Sequence, residues 1–166
     1  MKIVVFSDSH RDLDAMKAAV DETSPDMIIH LGDHIDDAAA LEMLFPDIPL
    51  ESVKGNTDPW SPGPTEKLLE VEGNRIFMTH GDIYDVRSGT SVILAEGIRR
   101  QAGIVLFGHT HIPYLKTKKG VVLMNPGKIG RRARGMSEPS FGIIETDGGI
   151  RCGIIRLQGI VKRSGT

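Results

Sequence analysis

Five short apolar runs in this chain each lead into an aspartate, an asparagine or a histidine, and that repetition restricts the fold more than any other feature. Residues 3–6 (IVVF) run into Ser7-Asp8-Ser9-His10, and 27–31 (MIIHL) stop at Gly32-Asp33. A third run ends at Gly55-Asn56, 75–79 delivers His80, and 104–107 (IVLF) delivers His109 and His111. Between the first three, the apolar spacing turns helical. Leu13, Met16, Ala19 and Val20 line one face, with Asp12 as an N-cap and Pro25 beyond the end, and a second helix is predicted over about 36–44. Strand, helix, strand, helix, strand is the signature of a parallel sheet with crossover helices. In such sheets ligands bind at the carboxyl ends of the strands, where these polar residues fall.

The second half has a different rhythm. Strands are predicted at 67–71 and 75–79 around a Glu72-Gly73-Asn74 turn, a helix over 90–101, and strands near 114–117, 121–124, 141–146 and 150–157. Turns fall at Lys118-Lys119-Gly120 and Asp147-Gly148-Gly149. A parallel α/β half joined to an antiparallel half suggests two packed sheets with helices outside. A chain of 166 residues, 40% hydrophobic and 25% charged, fits one domain over 1–166 with a real core. The net charge of −2 offers no electrostatic footprint for duplex nucleic acid. No run approaches the roughly 18 apolar residues of a membrane helix. The apolar start is too short for a signal peptide, and the single cysteine, Cys152, cannot form an internal disulfide. A cytoplasmic protein is expected.

The strand ends together gather two aspartates, one asparagine and four histidines. Asp8-x-His10 and His109-x-His111 place alternate side chains on one side of an extended segment, so each pair is expected to reach one point. Imidazole with carboxylate suits Mn, Fe, Zn, Ni or Co, whereas Ca or Mg prefers an all-oxygen site. Seven ligands are too many for one catalytic metal, which usually takes three and keeps a position open. With one bridging carboxylate they serve two metals four each. Two metals about 3.5–4 Å apart activate water and clamp phosphoryl oxygens. The donor set suggests a two-metal hydrolase.

At this point the motifs match a family. Asp8-Ser9-His10, Gly32-Asp33, Gly55-Asn56-Thr57-Asp58, His80-Gly81 and Gly108-His109-Thr110-His111 occur in the order of the calcineurin-like metallophosphoesterases. The sequence most resembles the small YfcE-type bacterial and archaeal phosphodiesterases, and Asn125-Pro126-Gly127 and Pro139-Ser140-Phe141 extend the likeness over nearly the whole chain. The resemblance implies an α/β fold, a two-sheet β-sandwich flanked by helices. It implies a divalent-metal-dependent phosphodiesterase acting on a small phosphoester, with two transition metals per chain, manganese foremost and Ni, Fe, Co or Zn as alternatives. Asp8, His10 and His111 would hold one metal, Asn56, His80 and His109 the other, and Asp33 would bridge. Asp33, Asn56 and His109 would carry the catalytic roles around a metal-activated hydroxide that attacks phosphorus in line.

Two positions depart from the pattern. Many relatives place a histidine after the asparagine, where it can protonate the leaving group; here that position is Thr57, which cannot act as an acid near neutral pH. Asp58 is the nearest ionisable group. The family's usual serine after Asn-Pro-Gly is Lys128. Thr57, Asp58 and Arg131 are the candidate substrate contacts, Arg131 because an arginine can hold a phosphate bidentately. Arg132 and Arg134 complete a basic loop whose default state is solvated.

The remaining polar residues have plainer expected roles. His30 is expected buried behind the ligands, His34 solvated in its loop, and Asp36 and Asp37 capping the following helix through its dipole. Asp82 is a candidate support near His80, Trp60 a packed loop anchor, and Cys152 a small core residue. Two rival functions stand beside the phosphodiesterase: a phosphomonoesterase of the same fold, and a binding scaffold like the retromer subunit built on this fold. A scaffold can lose metal ligands, yet all seven candidates are present. No membrane partner is expected, and a homo-oligomer is left open.

Overall fold

Strand alternation decides which way each side chain of the core faces. In β1 (Lys2–Phe6), Ile3 and Val5 point to one side and Val4 and Phe6 to the other, and all four are fully buried. A strand buried on both faces must lie between two layers, and this one does. The computed structural model describes residues 1–130 and 138–157. After β1 come α1 (Leu13–Thr23), β2 (Met27–His30), α2 (Ile35–Leu44), β3 (Leu50–Ser52), β4 (Glu66–Val71) and β5 (Asn74–Thr79). A single 3₁₀ turn and α3 (Ser91–Arg99) follow, then β6 (Ile104–Leu106), β7 (Tyr114–Lys118), β8 (Val121–Asn125), β9 (Ser140–Glu145) and β10 (Arg151–Arg156).

The strands form two five-stranded sheets, ordered β10-β9-β1-β2-β3 and β4-β5-β6-β8-β7. Ile3, Val5 and Ile29 from the first sheet meet Ile76, Met78, Ile104, Leu106 and Met124 from the second in one core between the sheets. The opposite faces are covered by helices. Met16, Ala19 and Val20 of α1 and Leu41 of α2 pack on Val4, Phe6 and Ile28, and Ile93 and Leu94 of α3 pack on Phe77, Val105 and Leu123. Each fully buried side chain of this size stabilises the fold by roughly 1.5–3 kcal/mol relative to exposure. The helix signals hold locally: the Asp12 carboxylate accepts the Ala15 N–H at the start of α1, and Ser24 ends it in the left-handed conformation.

The two-sheet sandwich flanked by helices is as expected, but the sheets do not divide into a parallel and an antiparallel half. β9 pairs antiparallel with β1 and so enters the first sheet, while β5, β6 and β8 run parallel within the second. Sequence rhythm shows hairpins and crossovers; it does not show which distant strand closes an open edge. Trp60 is also not a packed anchor, being 95% exposed in a loop with no apolar cover. Cys152 is half-buried against the inter-sheet core, and that burial pushes its thiol up to about 11. Among the described residues no helix is long and apolar enough to cross a membrane.

The carboxyl ends of β1, β2, β5 and β6 open at one edge of the sandwich, because β1 runs parallel to β2 and β5 parallel to β6. The loops leaving these strands touch across the gap between the sheets. The His109 N–H donates to Asp8 Oδ2 and the His80 ring to the Leu31 carbonyl.

Candidate metal centre

Asp8 and His10 meet not by alternation along an extended strand but by a tight reversal. Asp8 has φ 55° and His10 φ 45°, and Asp33, His109 and His111 likewise have φ between 61° and 65°. Five of the seven candidate ligands thus sit in left-handed backbone, where each non-glycine residue costs about 1–2 kcal/mol. Aspartate and histidine tolerate this region better than bulky residues, and the site's own hydrogen bonds over-determine the loops.

The first cluster is Asp8, His10, Asp33 and His111, with one ligand atom from each lying within 4.8 Å of every other. His10 Nε2 is 3.4 Å from His111 Nε2, and His111 Nε2 is 3.1 Å from Asp8 Oδ1. The two oxygens of Asp8 are treated differently. Oδ2 accepts the Ser7 hydroxyl at 2.7 Å and the His109 N–H at 3.2 Å. Oδ1 is buried and, its proximity to His111 notwithstanding, has no aligned hydrogen bond. Burial pushes the Asp8 carboxyl up, but the ring of His111 and the Ser7 hydroxyl outweigh it and hold the group below the usual carboxylate range. The result is an ionised carboxylate presenting one bare oxygen to the cluster.

The second cluster shares Asp33. His80 Nδ1 donates to the Leu31 carbonyl at 2.8 Å, which fixes the tautomer and leaves Nε2 without a proton. That bare nitrogen lies 3.2 Å from Asn56 Oδ1, 3.2 Å from His109 Nδ1 and 3.4 Å from Asp33 Oδ1. His80 and Asp33 are both buried. Three acceptors converge here, two of them buried, and they repel one another unless a cation lies among them. The donor set of oxygen and imidazole nitrogen therefore fits a divalent transition metal at each cluster.

Two glycines let the loops close. A Cβ on Gly55 would fall 2.2 Å from Asp33 Oδ1, and one on Gly108 would fall 1.9 Å from the Ser7 hydroxyl. Burial lowers the pKa of His10, with help from the Lys128 charge, and burial with the Arg87 charge lowers that of His109. Both rings stay neutral, as ligation requires, below the ordinary histidine range.

The residues expected as substrate contacts divide. Thr57 is exposed beside the centre, and its N–H donates to Asp33 Oδ1 at 3.1 Å. Asp58 has a different part from the one expected. It is buried, with Oδ1 accepting the N–H groups of His34 and Ile35 and Oδ2 that of Gly55. Its carboxylate is taken up by backbone and cannot face a substrate; it caps α2 and ties two ligand loops together. Arg131, with Arg132 and Arg134, lies outside the described residues.

Several supports carry no sequence signal on their own. Asp37 is not simply a helix cap: its Oδ2 accepts the Ser9 hydroxyl and the Arg11 N–H, both at 2.7 Å. His30 is fully buried, accepts the Gly32 N–H on Nδ1, and so donates from Nε2 to the Ser9 hydroxyl. Burial brings its pKa down to about 4, so the ring is neutral. Asn125 donates to the Gly108 carbonyl and the Thr110 hydroxyl, bracing the loop that carries His109 and His111. A polar residue at the end of an otherwise buried strand is the one hint of that role. His34, expected in solvent, is half-buried with its ring 5.1 Å from that of His10. Asp82 reaches His109 by charge.

A model of the calcineurin-like phosphoesterase superfamily domain matches residues 1–149. The chain is 32% identical over 162 residues to a probable metallophosphoesterase of Methanothermobacter thermautotrophicus, covering 95% of this chain and 84% of that protein. It is 24% identical to the phosphodiesterase MJ0936 of Methanocaldococcus jannaschii, covering 89% and 94%. Among solved structures, a conserved uncharacterised protein of Streptococcus pneumoniae superposes with a TM-score of 0.78 at 25% identity, covering 93% and 88%. Vps29 of Entamoeba histolytica, solved with Zn²⁺, superposes with a TM-score of 0.71 at 16% identity over 95% of this chain and all of that one, a likeness of fold alone.

Proposed function

This chain belongs to the calcineurin-like phosphoesterase superfamily, and from that premise we propose that it is a phosphodiesterase of small phosphoesters working with two divalent metals, manganese foremost. The observation that carries the reading is the convergence of the buried Asp33 Oδ1 and His80 Nε2 with Asn56 Oδ1, next to the bare Oδ1 of Asp8. Asp8, His10 and His111 would hold one metal, Asn56, His80 and His109 the other, and Asp33 would bridge. When bound, such a pair polarises phosphoryl oxygens and activates water at neutral pH.

The chain's own residues prepare that chemistry. Ser7 and the His109 N–H fix one oxygen of Asp8 so that the other is presented. The Leu31 carbonyl holds the proton of His80 away from its ligating nitrogen, and the Thr57 N–H orients Asp33. Lys128 adds positive charge beside His10, where it favours a phosphate approaching that side. Thr57 offers the leaving oxygen no proton near neutral pH, so the group departs as an anion or is protonated by water. That favours diesters with good leaving groups.

The likeness to Vps29 favours, as a second reading, a binding scaffold; the complete set of seven ligands speaks against it. The test is to strip the protein with chelator, restore Mn²⁺, Ni²⁺ or Zn²⁺, and compare bis-p-nitrophenyl phosphate with p-nitrophenyl phosphate. We expect hydrolysis only with metal, and faster for the diester. A faster monoester would make it a phosphomonoesterase, and no hydrolysis with any metal would favour the scaffold.

A further inference from the structure

A cleft of about 730 Å³ opens from the metal centre, sharing His109 and His111 with it and running between the start of α3 and the outer strand β7. Its size is that of a site for a whole small molecule, far beyond what one phosphate group needs. Three cations line it: Arg87 before α3, and Lys116 and Lys118 on β7. None of the three forms an ion pair among the described residues, whereas Lys17, Lys67, Arg99, Arg100 and Arg151 each do. Among the described residues no carboxylate lines the cleft. Asp82 acts on His109 by charge but lies outside the lining.

The cations are also arranged. Lys116 and Lys118 stand alternately placed on β7 and so share its face, with their ammonium groups 5.6 Å and 5.8 Å from the centre of the Tyr114 ring. Lys118 is held by a 2.9 Å hydrogen bond to the Thr90 hydroxyl. Like charges gathered on one wall without a carboxylate repel one another, and an anion in the cleft relieves that repulsion. Arg87 on the opposite side acts on His109 by charge, so the positive field begins at the metal ligands.

From this we propose that the cleft is a subsite for a second anionic group of the substrate, so that the preferred ester carries a further phosphate or carboxylate on the His109 side. The proposal rests on the phosphodiesterase reading for what occupies the metal centre, but binding tests it without turnover. A clean pair of probes differs by one phosphate: thymidine 5′-phosphate and thymidine 3′,5′-bisphosphate, each titrated calorimetrically into Mn²⁺-loaded protein. The bisphosphate should bind at least about tenfold tighter at low salt, an advantage that shrinks as ionic strength rises. In R87Q/K116Q/K118Q the two affinities should become equal while thymidine 5′-phosphate still binds. Equal affinities in the wild type, or an advantage that survives the triple substitution, overturns the subsite. Turnover of the 5′-p-nitrophenyl esters of the same two nucleotides separates the two claims. Tighter bisphosphate binding with neither ester cleaved leaves the subsite standing and removes the phosphodiesterase; cleavage of both esters with equal binding does the reverse.

Discussion

Removing the Asp58 carboxylate should destabilise the metal-free protein by about 3–4 kcal/mol, far more than an ordinary helix cap. Asp58 is 5% exposed and accepts three backbone N–H groups, from His34 at 2.9 Å, Ile35 at 3.1 Å and Gly55 at 2.9 Å. A hydrogen bond to a charged group contributes about 1.5–3 kcal/mol net, and an orphaned buried N–H costs about 1–3 kcal/mol. The Ile35 bond is buried and loses its full value in Asp58→Ala, whereas water recovers part of the other two, which are only part-buried. An N-cap alone is worth about 0.5–2 kcal/mol. Asp58→Asn should fall between, near ~2 kcal/mol, since its one carbonyl oxygen can serve His34 and Ile35 while its amide N–H₂ opposes the Gly55 N–H. Urea denaturation followed by circular dichroism reads the effect. With m near ~2 kcal/mol/M, the Asp58→Ala midpoint should drop by about 1.5–2 M at unchanged m. A loss below about 1 kcal/mol would mean that water replaces all three bonds, and the bracing role of Asp58 would fall.

Three further outcomes follow from the same geometry. His30 titrates at about 4 folded and near ~6.5 unfolded, so between those values the unfolded chain holds the extra proton. Stability of the metal-free protein should therefore fall by roughly 3 kcal/mol as pH drops from 6.5 to 4, and His30→Gln should remove about one proton from the slope of stability against pH; an unchanged slope refutes it. Burial keeps His10 and His109 neutral below the ordinary histidine range, so the acid limb of activity should lie below pH ~6.5 and move lower as Mn²⁺ is raised. An acid limb indifferent to metal would point instead to a protein acid or base. With Thr57 in place of an acid, log rate should fall steeply with leaving-group pKa across a series of aryl diesters, and Thr57→His should flatten it, general acid help being worth about 10²–10⁴-fold. A shallow wild-type slope, with chemistry rate-limiting, would assign the proton to another residue, His34 first.

What could be read from the sequence was what depends on near neighbours. The alternation in Ile3-Val4-Val5-Phe6, the cap at Asp12 and the candidate ligands after the strand ends are local patterns; the strand and the cap lie where they are expected, and Asp8, His10, Asp33 and His111 come together. What could not be read depends on partners far along the chain. Asp58 meets His34 from 24 residues away, and Asn125 meets Gly108 from 17 away, so neither role follows from the residue's own surroundings in sequence. The pairing of Asp8 with His10 was anticipated for the wrong reason, because left-handed backbone rather than strand alternation joins them. The second sheet's parallel core escaped for a related reason: β6 pairs with β8 across an intervening strand. The basic wall of the cleft is visible in sequence only as two exposed lysines on a strand.

Two clusters joined by Asp33 are proposed to hold two metals. Chelator-stripped protein should be titrated with Mn²⁺ and its bound metal measured by elemental analysis, wild type beside Asn56→Ala and Asp33→Ala. Two metals per chain are expected in the wild type, weakened binding mainly at the second site in Asn56→Ala, and weakened binding at both with loss of activity in Asp33→Ala. At most one tightly bound metal in the wild type under saturating Mn²⁺ would rule out the two-metal centre.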